Sequence, residues 1–119
     1  MKKLIYCITT VEKWEQSNVE GKYVDKSLET EGFIHCSYPH QLLQVANKHF
    51  KGIDNLLILR IDCSQLKCNV VDEDLSGLNE VYPHIYGSIN IDAVVDTLKF
   101  QFDLNGNFTL PGQGIKGYQ

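Results

Sequence analysis

The chain is nearly without arginine. Of its 119 residues, 11 are Lys or Arg, and Arg60 is the single arginine among them. Bidentate forks for phosphate or guanine are therefore scarce. With 15 Asp and Glu the formal net charge is −4, opposite in sign to the field on which non-specific nucleic-acid binding depends. Nucleic acid is not an expected partner. No run approaches the roughly 18 apolar residues of a membrane span, and Leu4 to Ile8 is too short for a signal-peptide core. The expectation is a cytoplasmic protein with no membrane partner. The four cysteines (Cys7, Cys36, Cys63 and Cys68) lack C-x-x-C spacing, so packed, reduced thiols are expected in place of a disulfide framework or zinc site. Heptads, internal repeats and biased segments are also missing, which makes a monomer the default and one domain over residues 1–119 the expected organisation.

What is present is an ordinary globular composition, 43% hydrophobic and 22% charged, with 12 aromatics as core bulk. Leu4 to Ile8 is apolar on both faces and reads as a central strand. Thr9-x-x-Glu12 has the form of a capping box, opening a helix that carries Trp14 and ends at Gly21. A helical turn over Ser27 to Thr30 closes at Gly32 and precedes a brief strand, Phe33 to Ser37. Pro39 suits the first turn of a helix whose stripe of Leu42, Leu43, Val45, Ala46, His49 and Phe50 stops at Gly52. Leu56 to Ile61 reads as a buried strand and Asn69 to Val71 as a weaker one. A long connection from Asp72 to Pro83 leads into a strand over Pro83 to Ile89. Strand-like alternation from Val94 and the Asn105-Gly106 turn signal give a final hairpin through Phe108 to Leu110. Irregular strand and helix order predicts an α+β fold with mainly antiparallel strands.

Gly112-Gln113-Gly114-Ile115-Lys116-Gly117 matches the spacing of a dinucleotide-binding turn, but only Tyr118 and Gln119 follow, so no helix could begin within it. Residues 111–119 read as a flexible tail.

Two strands carry chemistry. The period of two places Phe33, His35 and Ser37 on one face and Ile34 with Cys36 on the other; it likewise separates His84, Tyr86 and Ser88 from Ile85, Gly87 and Ile89. If both line one cleft, His35, Ser37, His84 and Tyr86 form a polar wall over an apolar backing, as a small-ligand site requires. The alternative is histidines satisfied by the backbone or by water. A Cys36–His35 nucleophilic pair is excluded because neighbours in a strand face opposite ways. Ser37 and His35 share a face, but their Cα atoms would lie about 7 Å apart, too far for direct proton transfer. Metal binding through His35, His40, His49 and His84 lacks an i, i+4 pair. Glu73 and Glu80, in or beside the long connection, could reach a ligand at the second histidine strand.

The run Glu31-Gly32-Phe33-Ile34-His35-Cys36-Ser37, with Pro83-His84-Ile85-Tyr86-Gly87 downstream, resembles the proteins grouped as domain-of-unknown-function family 952. The likeness extends from Trp14, Gly21 and Tyr23 through Gln41 and the Leu57 to Asp62 strand to Ala93-Val94. It implies a fold similar to the ADP-ribosyltransferases: a split barrel of two small, mainly antiparallel sheets with flanking helices and a cleft between. His35-Cys36-Ser37 resembles the His-Gly-Ser or His-Gly-Thr strand that opens the NAD cleft of those enzymes, with cysteine in place of glycine. The implied catalytic set is His35 on a ribose hydroxyl, Tyr86 stacked on nicotinamide, and Glu80, or else Glu73, orienting the ribose and stabilising charge as the glycosidic bond breaks. Ser37, His84, Gly87, Glu73, Gln41 and Tyr23 form the implied ligand-binding set, with no metal and no permanently bound cofactor. Cys36 would narrow the cleft, since glycine permits closer backbone approach. RNA 2′-phosphotransferases of the same fold use several arginines, and Arg60 alone argues against that branch. Two expectations follow. One is a protein binding NAD, ADP-ribose or a related nucleotide, as transferase or glycohydrolase; the other is a non-catalytic binding or interaction protein that keeps the fold without the chemistry.

Overall fold

The computed structural model describes residues 3–75 and 77–109. The glycine-rich tail and Leu110 lie outside them. The chain builds an α+β fold in which every pairing between described strands is antiparallel.

Strand β1 (Leu4–Thr10) pairs along its whole length with β4 (Leu56–Asp62), and β4 pairs on its other side with β8 (Val94–Lys99). The central strand is thus β4, and β1 lies at the edge of its sheet. Apolarity on both faces of β1 has a different cause from the one the sequence suggested: each face meets its own core. Ile5, Cys7, Leu59 and Ile61 pack with Ile34, Cys36, Ile85, Ile89 and Tyr23. On the opposite face Tyr6, Leu56 and Ile58 pack with Leu42 and Ala46 of α3 (Leu42–His49) and with Phe100 and Phe108. Complete burial of a side chain such as Leu59 contributes about 1.5–3 kcal/mol.

Helix α1 (Val11–Glu20) is capped by Thr10, whose hydroxyl accepts from the Lys13 amide at 3.2 Å, so the cap sits one residue later than the Thr9-x-x-Glu12 pattern predicts. The helix ends at Gly21, in the left-handed region at φ 85°. Short β2 (Lys22–Tyr23) follows, then α2 (Lys26–Thr30), capped by the Asp25 carboxylate on the Ser27 amide. A single 3₁₀ turn over Pro39–Gln41 leads into α3.

The second three-stranded sheet is shorter: β3 (Ile34–His35), β6 (Tyr82–Ile85) and the edge strand β5 (Val70–Glu73). The strand expected to stop at Val71 runs on to Glu73, which leaves residues 74–81 as the connection. The strand expected over Pro83 to Ile89 is two strands. It breaks at Tyr86–Ser88, and β7 (Ile89–Asn90) joins β2 in a separate two-stranded ribbon. Glycine is needed at the break, because a Cβ on Gly87 would stand 2.8 Å from Cys68 Cβ. A second ribbon pairs β9 (Gln101–Phe102) with β10 (Phe108–Thr109). The described residues accordingly form four unclosed sheets in place of the two expected, and the three-stranded pair is joined where Tyr6 and Ser37 exchange backbone hydrogen bonds of 2.9 and 2.7 Å. No helix among the described residues is long and apolar enough to cross a membrane.

Candidate functional site: a paired-histidine cleft

The register of the short sheet sets His35 directly opposite His84 and Ile34 opposite Ile85. By the period of two, Ile34, Ile85 and Cys36 enter the core while both imidazoles emerge on the other face, with ring centroids 5.3 Å apart. Phe33, adjacent in chain, stacks flat on His84 at 4.1 Å and meets His35 edge-on at 4.8 Å. The three rings form one packed platform.

A carboxylate orients each imidazole. Glu73 Oε1, reaching over from β5, accepts from His84 Nδ1 at 2.8 Å and from the Tyr86 hydroxyl at 2.6 Å. The Tyr86 bond first, then His84, hold the Glu73 carboxyl below its usual range, and the same contact pushes the Tyr86 phenol up. His35 Nε2 lies 3.1 and 3.2 Å from the two carboxylate oxygens of Glu31. An imidazole that donates through one nitrogen presents the other as an acceptor, so the neutral pair offers His35 Nδ1 and His84 Nε2. Such nitrogens can receive hydroxyl protons from a ligand. His84 is only 4% exposed, whereas His35 is open to solvent.

These side chains stand on one wall of a cleft of about 870 Å³ that runs between the short sheet, the N-terminal end of α1 and the Gln44–His49 side of α3. His35, His84, Glu73, Glu80, Ser37 and Tyr23 all line it. Tyr23 is nearly inaccessible, and burial pushes its phenol far above the usual range. Ser37 is buried beside the inter-sheet rung. Asp25 lines the far side with Lys13 Nζ at 2.5 Å; burial works against its ionisation, but the Lys13 and Ser27 bonds prevail and lower its pKa.

Three expected site residues lie off the cleft lining. Tyr86 is 40% exposed, packs at 5.4 Å on Phe33 and commits its hydroxyl to Glu73. Gly87 sits where Cys68 leaves no room for a side chain. Gln41, 2% exposed, spends its amide inside the fold: Oε1 accepts from the Tyr38 amide at 2.9 Å, and Nε2 donates to Val81 O and Glu80 Oε2, both at 2.7 Å. Gln41 therefore positions Glu80 from behind; His40 Nε2 stands 3.9 Å from the same oxygen. Cys36 belongs to the core cluster, where burial, and then Cys7, push its thiol up. Among the described residues no group of three or more His, Cys, Asp or Glu side chains forms a metal cage.

Sequence reasoning missed Phe33 and Glu31 as parts of the site. Phe33 shares the alternation that identified His35, and that was the available signal. Glu31 stands four residues before His35, but the geometry joining them is the turn between α2 and β3, which no helical spacing describes.

The family model for proteins of unknown function designated DUF952 matches residues 8–97, most of the chain. The chain belongs to the DUF952 family. Among solved structures, the DUF952 chain is similar to CC0527 from Caulobacter crescentus. Its crystal structure is 26% identical, with a TM-score of 0.80 over 90% of this chain and 94% of that one. The solution NMR structure of CC0527 is 25% identical, with a TM-score of 0.69 over 87% and 90% of the two chains. No curated protein matches the sequence.

Proposed function

We propose that the cleft binds the ribosyl part of a nucleotide, NAD, ADP-ribose or a relative, on the His35–His84 pair, in a fold akin to the ADP-ribosyltransferases. The observation that carries this reading is the pair itself: two imidazoles 5.3 Å apart, each with one ring nitrogen on a carboxylate, so that the other nitrogen of each, in the neutral tautomer, would accept from one of two vicinal hydroxyls. Ser37, on the rung beside His35, supports the wall. Glu80, held by Gln41 at 2.7 Å, is a fixed negative group that would stabilise charge developing at the anomeric carbon of a ribose as its glycosidic bond breaks. On this reading the protein is a transferase or glycohydrolase with NAD as substrate rather than resident cofactor.

A non-catalytic binding protein is the second reading, and one observation favours it. Tyr86, the candidate for stacking on nicotinamide, lies off the cleft lining with its hydroxyl bound to Glu73.

Thermal shift and calorimetry with NAD, ADP-ribose and mononucleotides, on the wild type and on His35→Ala, test the binding. At least one nucleotide should stabilise the wild type and none the variant. A wild type that no nucleotide stabilises ends the proposal. Appearance of free nicotinamide after incubation with NAD separates enzyme from binder.

A further inference from the structure

The cleft wall carries four carboxylates, Asp25, Glu31, Glu73 and Glu80, against two ammonium groups, Lys13 and Lys48. Lys13 is committed to Asp25 at 2.5 Å. Lys48 makes no ion pair among the described residues. Arg60 is remote: its guanidinium lies 3.1 Å from Asp96, between β4 and β8, and outside the cleft lining. The helix N-termini that reach the cleft lining are already served: that of α1 by the Thr10 hydroxyl on the Lys13 amide and by Glu12 in its first turn, and that of α2 by the Asp25 carboxylate on the Ser27 amide. Among the described residues, a diphosphate entering here would meet one uncommitted ammonium and no guanidinium fork, in a cleft whose own charge repels it.

We propose that the ligand of this cleft is a nucleoside or a nucleoside monophosphate, with Lys48 taking the single phosphate, and not a diphosphate-linked dinucleotide. The proposal rests on the ribosyl-binding reading above and replaces its diphosphate ligands: the riboside or mononucleotide, and not NAD or ADP-ribose, would then carry the ribosyl group into the cleft. Vicinal ribose hydroxyls satisfy the two imidazole acceptors, and a neutral or cationic base is compatible with the carboxylates, whereas each added phosphate charge is opposed by them. The effect is electrostatic, so salt screens it.

Calorimetry on the full chain tests it, with nicotinamide riboside, nicotinamide mononucleotide, NAD and ADP-ribose at low and at high salt. The riboside and the mononucleotide should bind at least about tenfold more tightly than NAD or ADP-ribose at low salt, with the gap narrowing at high salt. Lys48→Gln, a solvent-side change, should leave riboside affinity within about twofold and weaken the mononucleotide severalfold. Tighter binding of NAD or ADP-ribose than of the riboside overturns the proposal and leaves the ribosyl reading standing. Absence of binding by all four compounds overturns both. Mononucleotide affinity unchanged in Lys48→Gln removes the assignment of Lys48.

Discussion

The two three-stranded sheets are built on different terms. In β1–β4–β8 the central strand reads Leu56-Leu57-Ile58-Leu59-Arg60-Ile61-Asp62, buried at six of its seven positions, and each face has a core of its own. In β3–β6–β5 the strands run two to four residues, and only one face is apolar. The other face holds two imidazoles, a phenyl ring and the Glu73 carboxylate. Area removed from water secures the first sheet; the second leans on it through the core and keeps its outer face for directional polar contacts. Stability and chemistry are thus assigned to different strands, and variants should separate them.

Ile58→Ala should do the greatest damage. The side chain is fully buried in the long sheet, so truncation should cost about 2–5 kcal/mol in urea unfolding; a cost under about 1 kcal/mol would break the contrast. Gln41→Ala comes next. It strands Tyr38 N, Val81 O and one Glu80 oxygen, for an expected loss of about 1–3 kcal/mol together with weakened ligand binding as Glu80 loses its support. Glu73→Gln should show its effect mainly through pH. The folded carboxyl is held below its ordinary value of about 4.3, so its contribution is fully present above that value and is lost as pH falls through the folded one. The acid limb of a thermal-melt series should be shallower in the variant, and an unchanged limb would remove Glu73 from the account. His35→Ala should be smallest in stability, within about 0.5 kcal/mol for a solvent-open side chain, and still abolish nucleotide binding.

Much of the fold was legible because its signals are local. Gly21 and Gly32 adopt the positive φ that their places after helical segments suggest, and Asn105-Gly106 turns the last hairpin. Alternation along Phe33–Ser37 put Ile34 and Cys36 inward and His35 outward. What escaped depended on partners distant in sequence. The break at Tyr86–Ser88 requires Cys68 against Gly87 and β2 beside β7, and neither can be read from 83–89 alone. The same holds for the site. Each histidine could be placed on a polar face, but their meeting is a property of register, fixed by the pairing of Ile34 with Ile85. Gln41 entered the expected site through the family resemblance and Tyr86 through strand alternation as well, and neither signal shows that Gln41 holds Glu80 or that Tyr86 gives its hydroxyl to Glu73, since both partners are set by the fold.

The rung between Tyr6 and Ser37 has a bearing on motion. It fastens the long sheet to the strand that carries His35, and Ser37 itself lines the cleft, so any spreading of the two sheets must first stretch two short backbone bonds. The amide protons of Tyr6 and Ser37 are therefore a built-in gauge of cleft breathing. Their solvent exchange should slow together when a ligand clamps both walls, and amides inside β4 should stay indifferent.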